Sequence, residues 1–217
     1  MPNQNQNKIS LPVIKRLPRY FRLVHELKDR GINTVSSSEL AALLGTTASQ
    51  VRQDFNCFGG FGQQGVGYNV DLLFRELEKL LYSGRELDTI LVGTGRLGRT
   101  ISGFLASEAT GFRLVAAFDN APGEIGRALG QLTVLDVATL QDFCKKHKPQ
   151  VAVLCIPEQS AAELAPTLLQ LGIKGFWNFS NYDLAADSPG VTVENVHLGD
   201  SISSLGFQVR NAEAPRA

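Results

Sequence analysis

Long apolar runs, paired cysteines and a surplus of either charge are all missing from this sequence of 217 residues. Because no stretch approaches the ~18 consecutive apolar residues of a membrane-spanning helix, no such helix is expected. The first residues are rich in Asn and Gln rather than apolar, so no secretory signal is expected either. Three cysteines, odd in number and far apart, favour neither a disulfide framework nor a zinc site. We therefore expect a soluble cytoplasmic protein with no metal centre.

The balanced total of 21 basic and 21 acidic residues hides an uneven distribution. Residues 1–85 contain 11 Lys and Arg against 7 Asp and Glu, whereas residues 86–217 contain 10 against 14. A basic half joined to an acidic half is expected when only one half meets a polyanion. A change from helical spacing to short β-branched runs near residues 83–88 marks the same division. We therefore predict two domains, 1–85 and 86–217.

In the first domain, helix-start and helix-stop signals lie close together. Ser36 with Glu39, and Thr47 with Gln50, have the spacing of a capping box, in which two side chains satisfy free amides at a helix start. Gly45 lies between the two boxes and suits the left-handed conformation that ends a helix. The sequence therefore predicts a helix, a tight turn and a second helix.

The second of these helices is predicted to expose a polar face. Because Val51 and Phe55 lie on its apolar side, five side chains of the types that read base edges and bind phosphates point outward: Ser49, Gln50, Arg52, Gln53 and Asn56. Basic side chains, Arg16 among them, cluster on the first helix of the domain, which comes before this helix-turn-helix pair. They could hold phosphates or form a solvated helix face.

A glycine-rich segment follows this helix-turn-helix, which covers about residues 18–57. It spans about residues 59–69, contains Gln63 and Gln64 among its glycines, and resembles the β-hairpin wing of winged-helix proteins. A wing would lie along the DNA backbone or in the minor groove. The residues alone leave two functions open for this domain, which are DNA binding and the docking of another protein.

The second domain opens on a dinucleotide-binding fingerprint. A β-branched run ending at Val92 leads into the motif GxGxxG, formed by Gly93, Thr94, Gly95, Arg96, Leu97 and Gly98, and then into a helical stretch. The first glycine of this motif permits a tight turn, the second lets backbone approach a pyrophosphate, and the third lets the helix pack on the strand. Further strands alternate with helices, which is typical of a parallel α/β sheet.

Two more residues are expected at the same site. Asp119 ends the next strand, 21 residues after Gly98. A carboxylate there accepts a hydrogen bond from a ribose 2′-OH and repels a 2′-phosphate, which favours NADH and NAD+ over their phosphorylated forms. Pro157 directly follows another strand and would lie at the carboxyl edge of the sheet.

The space left after the fingerprint argues against catalysis. A dehydrogenase needs a substrate domain and usually a His or Lys beside the nicotinamide. Only about 120 residues follow the fingerprint, and the three histidines form no constellation. We expect no catalytic residues, but two alternatives stay open. One is a small NAD-dependent oxidoreductase with a helical dimerisation domain, and the other is a nucleotide-binding subunit whose first domain docks protein.

Motifs in both domains resemble the redox-sensing transcriptional repressor Rex family, over nearly the whole chain. In the first domain the similarity includes RLPRY at residues 16–20, VRQDF at 51–55 and GVGY at 65–68. In the second it includes the fingerprint, AAFD at 116–119 and VENV at 193–196. A recognition-helix motif followed by a glycine-rich wing and a separate GxGxxG is a specific combination.

This resemblance implies a winged helix-turn-helix domain followed by a Rossmann-fold domain with a mostly parallel sheet. It also implies a homodimer in which the last helix, about residues 199–210, is exchanged between subunits. The exchange would cover an apolar stripe formed by Ile202, Leu205 and Val209. Such a protein would repress transcription from an inverted-repeat operator in double-stranded DNA, and NADH would release it, so that it senses the NADH/NAD+ ratio.

The candidate DNA-binding residues then lie on the first helix, the second helix of the motif and the wing. They are Arg16, Thr47, Ser49, Gln50, Arg52, Gln53, Asn56, Gln63, Gln64 and Tyr68. Gln53 departs from the family pattern, since many relatives carry Lys or Arg there. One guanine or phosphate contact is therefore expected to be missing.

An interdomain switch is the second departure. Some family members connect their domains through an Arg, a Tyr and an Asp. In this chain Arg22 matches the Arg, but Phe104 stands for the Tyr and His197 for the Asp. Because a phenyl ring has no hydroxyl to donate, we expect the switch to be wired differently here.

Overall fold

The computed structural model describes residues 9–59, 62–63, 67–82, 84–184 and 190–213. The chain divides into two compact units, residues 1–84 and 85–217. Each unit has its own hydrophobic core. Within the described residues, no helix is both long enough and apolar enough to cross a membrane.

The first unit is a winged helix built from four helices and a small antiparallel sheet. Its elements are α1 (Leu11–Asp29), β1 (Thr34–Val35), α2 (Ser37–Leu44), α3 (Ala48–Asn56), β2 (Gly62–Gln63), β3 (Gly67–Asn69) and α4 (Val70–Tyr82). The three strands pair in the order β1-β3-β2. The helices α2 and α3 therefore form the expected helix-turn-helix, and β2 and β3 lie in the segment expected to form the wing.

Local signals explain where α2 begins and ends. The hydroxyl of Ser36 accepts from the amide of Glu39 at 3.1 Å, and the carboxylate of Glu39 accepts from the amide of Ser36 at 2.7 Å. This confirms the first predicted capping box. Gly45 has φ of 65°, a left-handed conformation that a residue with a Cβ rarely adopts. The turn between α2 and α3 is therefore tight because a glycine stands there.

The core of the first unit collects apolar side chains from every helix. The buried face of α1 repeats every three or four residues, as a helix packed on one side requires. Tyr20 of α1 and Phe55 of α3 are fully buried, with ring centroids 4.9 Å apart in an edge-on arrangement. Each such aromatic pair adds roughly 1 kcal/mol beyond the burial of its area. This packing fixes α3 against α1.

The second unit is a Rossmann fold. Its strands are β4 (Leu87–Val92), β5 (Phe112–Asp119), β6 (Ala128–Leu129), β7 (Leu132–Asp136), β8 (Val151–Leu154), β9 (Gly175–Asn178) and β10 (Thr192–Asn195). They lie in the order β10-β9-β8-β4-β5-β7-β6, and all pairs are parallel except β6 with β7. The chain runs from β4 to one side and then returns to the other. The crevice at the carboxyl end of β4 is the usual place for a ligand in such sheets.

The second unit also contains four α-helices among its described residues. They are α5 (Arg96–Ser107), α6 (Leu140–His147), α7 (Glu158–Gln170) and α8 (Leu198–Glu213), with a short 3-10 turn at Val137–Thr139. Buried side chains form two clusters. One contains Ile90, Phe118 and Leu168, and the other contains Leu91 and Val153. Because successive strand residues point to opposite faces, neighbouring residues of β4 feed the two clusters.

The last helix, α8, differs from the others in what it exposes. Its large apolar side chains are 49–64% exposed: Leu198, Ile202, Leu205, Phe207 and Val209. Four of them, all except Phe207, recur every three or four residues and so share one face, and an apolar helix face of this size is normally buried against something. The expected stripe therefore lies on the surface of the described chain.

Candidate nucleotide and nucleic-acid sites

The first and third glycines of the fingerprint allow the loop after β4 to fold tightly. Gly93 has φ of 90°, and a Cβ there would collide with the carbonyl oxygen of Cys155 at the end of β8. A Cβ at Gly98 would collide with the carbonyl oxygen of Gly93. Gly98 therefore lets α5 pack directly on the loop, and Gly93 lets the loop pack on the neighbouring strand.

The second glycine, Gly95, is open. A Cβ there would meet no atom of the described residues within 4 Å. Gly95 is also the N-cap of α5 and brings no side chain to satisfy the amides of the first turn. Such a helix start offers N–H donors and the positive end of the helix dipole to an anion. The geometry fits a pyrophosphate that approaches the backbone at Gly95.

Asp119 lies beside this loop. Its Oδ2 accepts from the amide of Thr94 at 2.6 Å and from the Thr94 hydroxyl at 2.9 Å, and its Oδ1 accepts from the amide of Ala121 at 2.9 Å. Burial by itself would raise the pKa of Asp119, but these hydrogen bonds outweigh it and hold the pKa below its ordinary value. The carboxylate is therefore ionised near neutral pH. It holds the glycine loop through Thr94, and it can still accept a hydrogen bond from a ribose hydroxyl.

Thr94 was expected to face the cofactor, but its side chain turns inward to Asp119. Thr94 is fully buried, and its hydroxyl donates to protein rather than facing the open side of the loop. Sequence reasoning missed this pairing. The signal that could have found it is a short hydroxyl residue inside the glycine loop together with an acid at the end of the adjacent strand.

The remaining fingerprint residues take several positions. Arg96 is exposed and Leu97 is half-buried at the start of α5. Pro157 is exposed directly before α7, at the carboxyl end of β8 as expected. Close by, burial raises the pKa of Cys155 to about 12, so this thiol is not a nucleophile at neutral pH.

A further tie at this edge was not predicted. Glu124, in the loop after β5, accepts from Arg99 of α5 and from Arg127 at 3.1 Å. The ion pair joins the loop that follows Asp119 to the helix that follows the glycines.

The outward face of α3 carries the expected polar side chains. Ser49, Arg52, Gln53 and Asn56 are exposed. The Nη1 atom of Arg52 donates to the hydroxyl of Ser37 at 3.0 Å, which places the guanidinium over the start of α2. This face can therefore offer hydroxyl, amide and guanidinium groups to a nucleic acid.

Thr47 and Gln50 need a correction. Thr47 caps α3, since its hydroxyl accepts from the amide of Gln50 at 3.2 Å. The side chain of Gln50 does not return to the Thr47 amide to complete a capping box. It is half-buried, and its Nε2 donates to the Asp54 carboxylate at 2.8 Å, a charge-assisted bond that holds the side chain along α3.

Asp54 is the feature of this unit that sequence reasoning missed. It is 1% exposed, and its carboxylate accepts from Arg16 Nε at 2.6 Å, Arg16 Nη2 at 2.8 Å, Tyr20 Oη at 2.8 Å and Gln50 Nε2 at 2.8 Å. Burial would raise the pKa of Asp54, but the bonds from these three side chains lower it overall. An acid three residues after Val51, on the apolar side of α3, was the available signal.

Tyr68 also needs a correction. It was expected on the wing, facing DNA, but it is 6% exposed and packs edge-on against Phe55 with centroids 5.0 Å apart. A large aromatic ring at the inner side of a short sheet gains more from burial than from exposure. Gln63 lies in β2, whereas Gln64 lies outside the described residues.

The three switch candidates are divided between the two units, with Arg22 in the first and Phe104 and His197 in the second. Arg22 is exposed on α1 of the first unit. In the second unit, Phe104 is 39% exposed, with its ring centroid 5.9 Å from that of Trp177. His197 has its Nδ1 3.4 Å from Asp200 Oδ2, and its buried Nε2 has no hydrogen-bond partner among the described residues. Their joint action stays a prediction.

Two family models match the chain, one in each unit. The model described as "Putative DNA-binding protein N-terminus" matches residues 8–56. The model described as "CoA binding domain" matches residues 85–182.

Curated relatives match nearly the full length of the chain. A redox-sensing transcriptional repressor Rex from Clostridioides difficile is 45% identical over 209 residues, which cover 96% of this chain and 99% of the relative. Another Rex, from Thermoanaerobacter pseudethanolicus, is 42% identical over 208 residues, which cover 96% of this chain and 92% of the relative.

Solved structures give the same result. RSP in complex with beta-NAD+ and operator DNA is similar with a TM-score of 0.85 and 42% identity, covering 94% of both chains. RSP in complex with beta-NADH is similar with a TM-score of 0.85 and 39% identity, covering 95% of this chain and 97% of that one. A third structure, with a TM-score of 0.84, 40% identity and coverage of 94% of this chain and 95% of that one, is described as RSP, a Rex-family repressor.

These relatives are named as repressors and not as enzymes, so the oxidoreductase alternative is wrong and the chain is a transcriptional regulator. The winged helix and the Rossmann fold occur in one chain, as the resemblance implied, and both lie within the matched length. The chain therefore belongs to the redox-sensing transcriptional repressor Rex family.

Proposed function

We propose that this chain is a homodimeric repressor that binds an inverted-repeat operator and leaves it when NADH binds, so that transcription follows the NADH/NAD+ ratio. The observation that carries the proposal is the presence, in one chain, of a polar recognition helix and a glycine loop with an open approach at Gly95. RSP, which matches nearly the full length of this chain, was crystallised with NAD+ and operator DNA, and with NADH. Its place of action is the cytoplasm, where DNA and the NADH pool meet.

The loop selects a dinucleotide by shape and charge. The pyrophosphate would lie against the backbone of Gly95 and the first turn of α5. Gly95 stands between Gly93 and Gly98, the two positions at which a Cβ would collide with backbone. The ionised carboxylate of Asp119 accepts a hydrogen bond from a free ribose hydroxyl and repels a ribose phosphate. NADPH carries a phosphate on this ribose and so does coenzyme A, so both are expected to bind more weakly than NADH.

The recognition helix supplies the DNA interface. The exposed side chains of α3 would enter the major groove, with Arg52 and Gln53 near base edges or phosphates. A basic excess in residues 1–85, 11 Lys and Arg against 7 Asp and Glu, supports binding to a polyanion. The wing residues Gln63 and Gln64 would lie along the adjacent backbone.

Dimerisation follows from the exposed face of α8. Burial of a helix face with four large apolar side chains that are 49–64% exposed, Leu198, Ile202, Leu205 and Val209, is worth several kcal/mol at about 25 cal/mol per Å². A second copy that exchanges this helix would supply the cover. A two-fold dimer presents two α3 helices to half-sites about one helical turn apart, which matches an inverted repeat.

NADH and DNA would oppose each other through a coupling free energy that acts equally in both directions. Arg22, Phe104 and His197 are the residues proposed to take part. Since Phe104 has no hydroxyl and His197 no carboxylate, the coupling would use ring packing and an imidazole hydrogen bond. No hydride needs to be transferred for this response.

The test is a titration of the full-length protein with a fluorescent AT-rich inverted-repeat duplex, at fixed salt, against NADH, NAD+, NADPH and coenzyme A. The duplex would first be optimised by selection from random DNA. We expect NADH to dissociate the complex at concentrations at which the other three ligands do not. Binding that no ligand reverses would contradict NADH sensing, and the absence of any duplex binding would contradict the repressor itself.

A further inference from the structure

The buried carboxylate of Asp54 is saturated by side chains from two helices. Arg16 donates to it from both Nε and Nη2, and Tyr20 and Gln50 donate one bond each, all at 2.6–2.8 Å. Four bonds fill the acceptor sites of an ionised carboxylate. Arg16 and Tyr20 lie on α1, 38 and 34 residues from Asp54 along the chain, so this cluster joins α1 to α3.

The cluster uses one edge of the Arg16 guanidinium. A guanidinium has five N–H groups in a planar fork, and the carboxylate takes one from Nε and one from Nη2. The opposite edge carries both N–H groups of Nη1 and the second of Nη2. The side chain of Arg16 is 32% exposed, whereas that of Asp54 is 1% exposed. The buried carboxylate therefore fixes the guanidinium, while part of the Arg16 side chain stays accessible to a ligand from solvent.

The Arg16 guanidinium lies next to the N-terminal part of α3. Gln50 and Asp54 are one turn apart on α3, and both the Gln50 amide and the Arg16 guanidinium bond to Asp54 Oδ1. Arg16 thus lies beside the first two turns of α3. In helix-turn-helix proteins these turns are the ones that meet base edges.

We propose that Asp54 is a positioning residue for operator recognition. It holds Arg16 so that the outer edge of the guanidinium presents two parallel N–H donors to a pair of acceptors on the operator. The acceptor pair is N7 and O6 of a guanine or two oxygens of one phosphate. This inference rests on the proposed function, since it assumes that α3 binds an operator.

The advantage of such an arrangement is pre-organisation. A free arginine loses rotamer freedom when it binds, and an arginine already fixed by a carboxylate loses less. Asp54 also cancels the charge of Arg16, so the pair adds little to non-specific attraction for DNA. The contribution of Asp54 should therefore be geometric, and its removal should separate specific from non-specific binding.

The test compares Asp54→Asn and Arg16→Lys with the wild type, using full-length protein, the selected operator and a random duplex of equal length. Arg30→Lys is the matched control, because Arg30 is exposed at the far end of α1. Thermal unfolding and NADH affinity are measured for every variant. Arg16→Lys keeps a cation beside Asp54, so it serves if Asp54→Asn fails to fold.

We expect Asp54→Asn to lower operator affinity about tenfold, although it removes a negative charge that repels DNA. A merely structural or merely electrostatic role for Asp54 predicts unchanged or tighter operator binding in a folded variant, and that result would overturn the proposal. If the random-duplex affinity holds while operator affinity falls, the acceptor pair is a guanine. If both fall by the same factor, it is a phosphate.

Arg16→Lys sharpens the same distinction. A lysine has the charge but not the fork, so it loses a guanine contact and keeps most of a phosphate contact. Operator binding equal to wild type in both variants overturns the inference while leaving the proposed function intact. A wild-type protein that binds no duplex overturns both.

Discussion

In the Rossmann unit the candidate ligand site depends on glycines, which have no side chain to obstruct the loop. In the winged-helix unit it depends on a buried carboxylate that fixes the side chains around it. Gly93 and Gly98 work because a Cβ would collide with backbone, and Gly95 because it leaves open space. Asp54 works because three side chains bond to it. One site depends on backbone shape and the other on side-chain orientation.

The two units share one device, which is an acid held by hydrogen bonds. Burial would raise the pKa of both Asp54 and Asp119, and in both the hydrogen bonds prevail and lower it. Asp119 receives two bonds from Thr94, in the glycine loop after β4, and one from the amide of Ala121, whereas Asp54 receives its bonds from side chains of two helices. Substitutions should therefore damage the first unit through orientation and the second through steric collision.

The largest effect is expected for Gly98→Ala. Its Cβ would collide with the Gly93 carbonyl oxygen, and neither backbone segment can move without disturbing β4 or α5. We expect the free energy of unfolding of the second unit to fall by about 3 kcal/mol. Urea unfolding followed by the fluorescence of Trp177, the single tryptophan, measures it.

Gly103→Ala is the matched control for that prediction. It lies on the same helix, and a Cβ there would meet no described atom within 4 Å. Alanine in a helix interior should stabilise the unit by up to about 1 kcal/mol relative to glycine. Equal destabilisation by both substitutions would contradict the steric explanation.

Gly95→Asp should separate ligand binding from folding. The side chain would enter the open space at the start of α5 and bring a negative charge against the pyrophosphate. We expect NADH affinity to fall about 100-fold, or about 2.7 kcal/mol. Unfolding followed by Trp177 should stay near wild type. NADH affinity within threefold of wild type, measured by calorimetry, would show that the pyrophosphate lies elsewhere.

Arg52→Ala tests the side-chain site. The substitution removes an exposed guanidinium of α3 and its bond to Ser37, without opening the core. We expect operator affinity to fall about tenfold, within the 1–3 kcal/mol of one base or phosphate contact. NADH affinity should be unchanged. Arg30→Ala is the control, because it removes an equal, exposed charge from the residue that directly follows α1. An equal loss of operator affinity in both variants would mean that Arg52 contributes through its charge alone.

The smallest effect is expected from pH. Because the pKa of Asp54 is lower in the folded unit than the ~3.9 of an unfolded chain, its contribution to stability is present above that value. It is lost as pH falls through the folded pKa. The free energy of unfolding of the first unit should be about 1 kcal/mol larger in the wild type than in Asp54→Asn at pH 7. This gap in stability should shrink below pH ~4. Hydrogen exchange of α1 and α3 measures the gap, and a gap that stays constant with pH would contradict the linkage.

Local patterns predicted much of the fold. Ser36, Glu39 and Gly45 gave the bounds of α2 within a residue, and the fingerprint gave β4, its loop and α5. Each of these signals works through neighbours in the chain. The strands β7 and β10 were not predicted, because their short runs alternate and carry polar residues that also suit turns.

Side-chain orientation was harder to predict than secondary structure. Tyr68 looked like a wing residue and lies in the core, and Gln50 looked like a groove residue and bonds to Asp54. A polar side chain near a helix surface can turn either way until the packed neighbour is known. Arg16 was identified as a cation that could reach DNA, but the carboxylate that holds it was not.

The amino-acid sequence alone determined the polar face of α3, the open position at Gly95 and the acid at Asp119, because each depends on residues adjacent in the chain. Only the tertiary structure decided that Arg16 meets Asp54 across 38 residues and that Thr94 meets Asp119 across 25. Such pairs form only after distant segments have packed and excluded water, and hydrogen bonds to a carboxylate are strongest there. Sequence thus supplies the groups, and packing selects their partners.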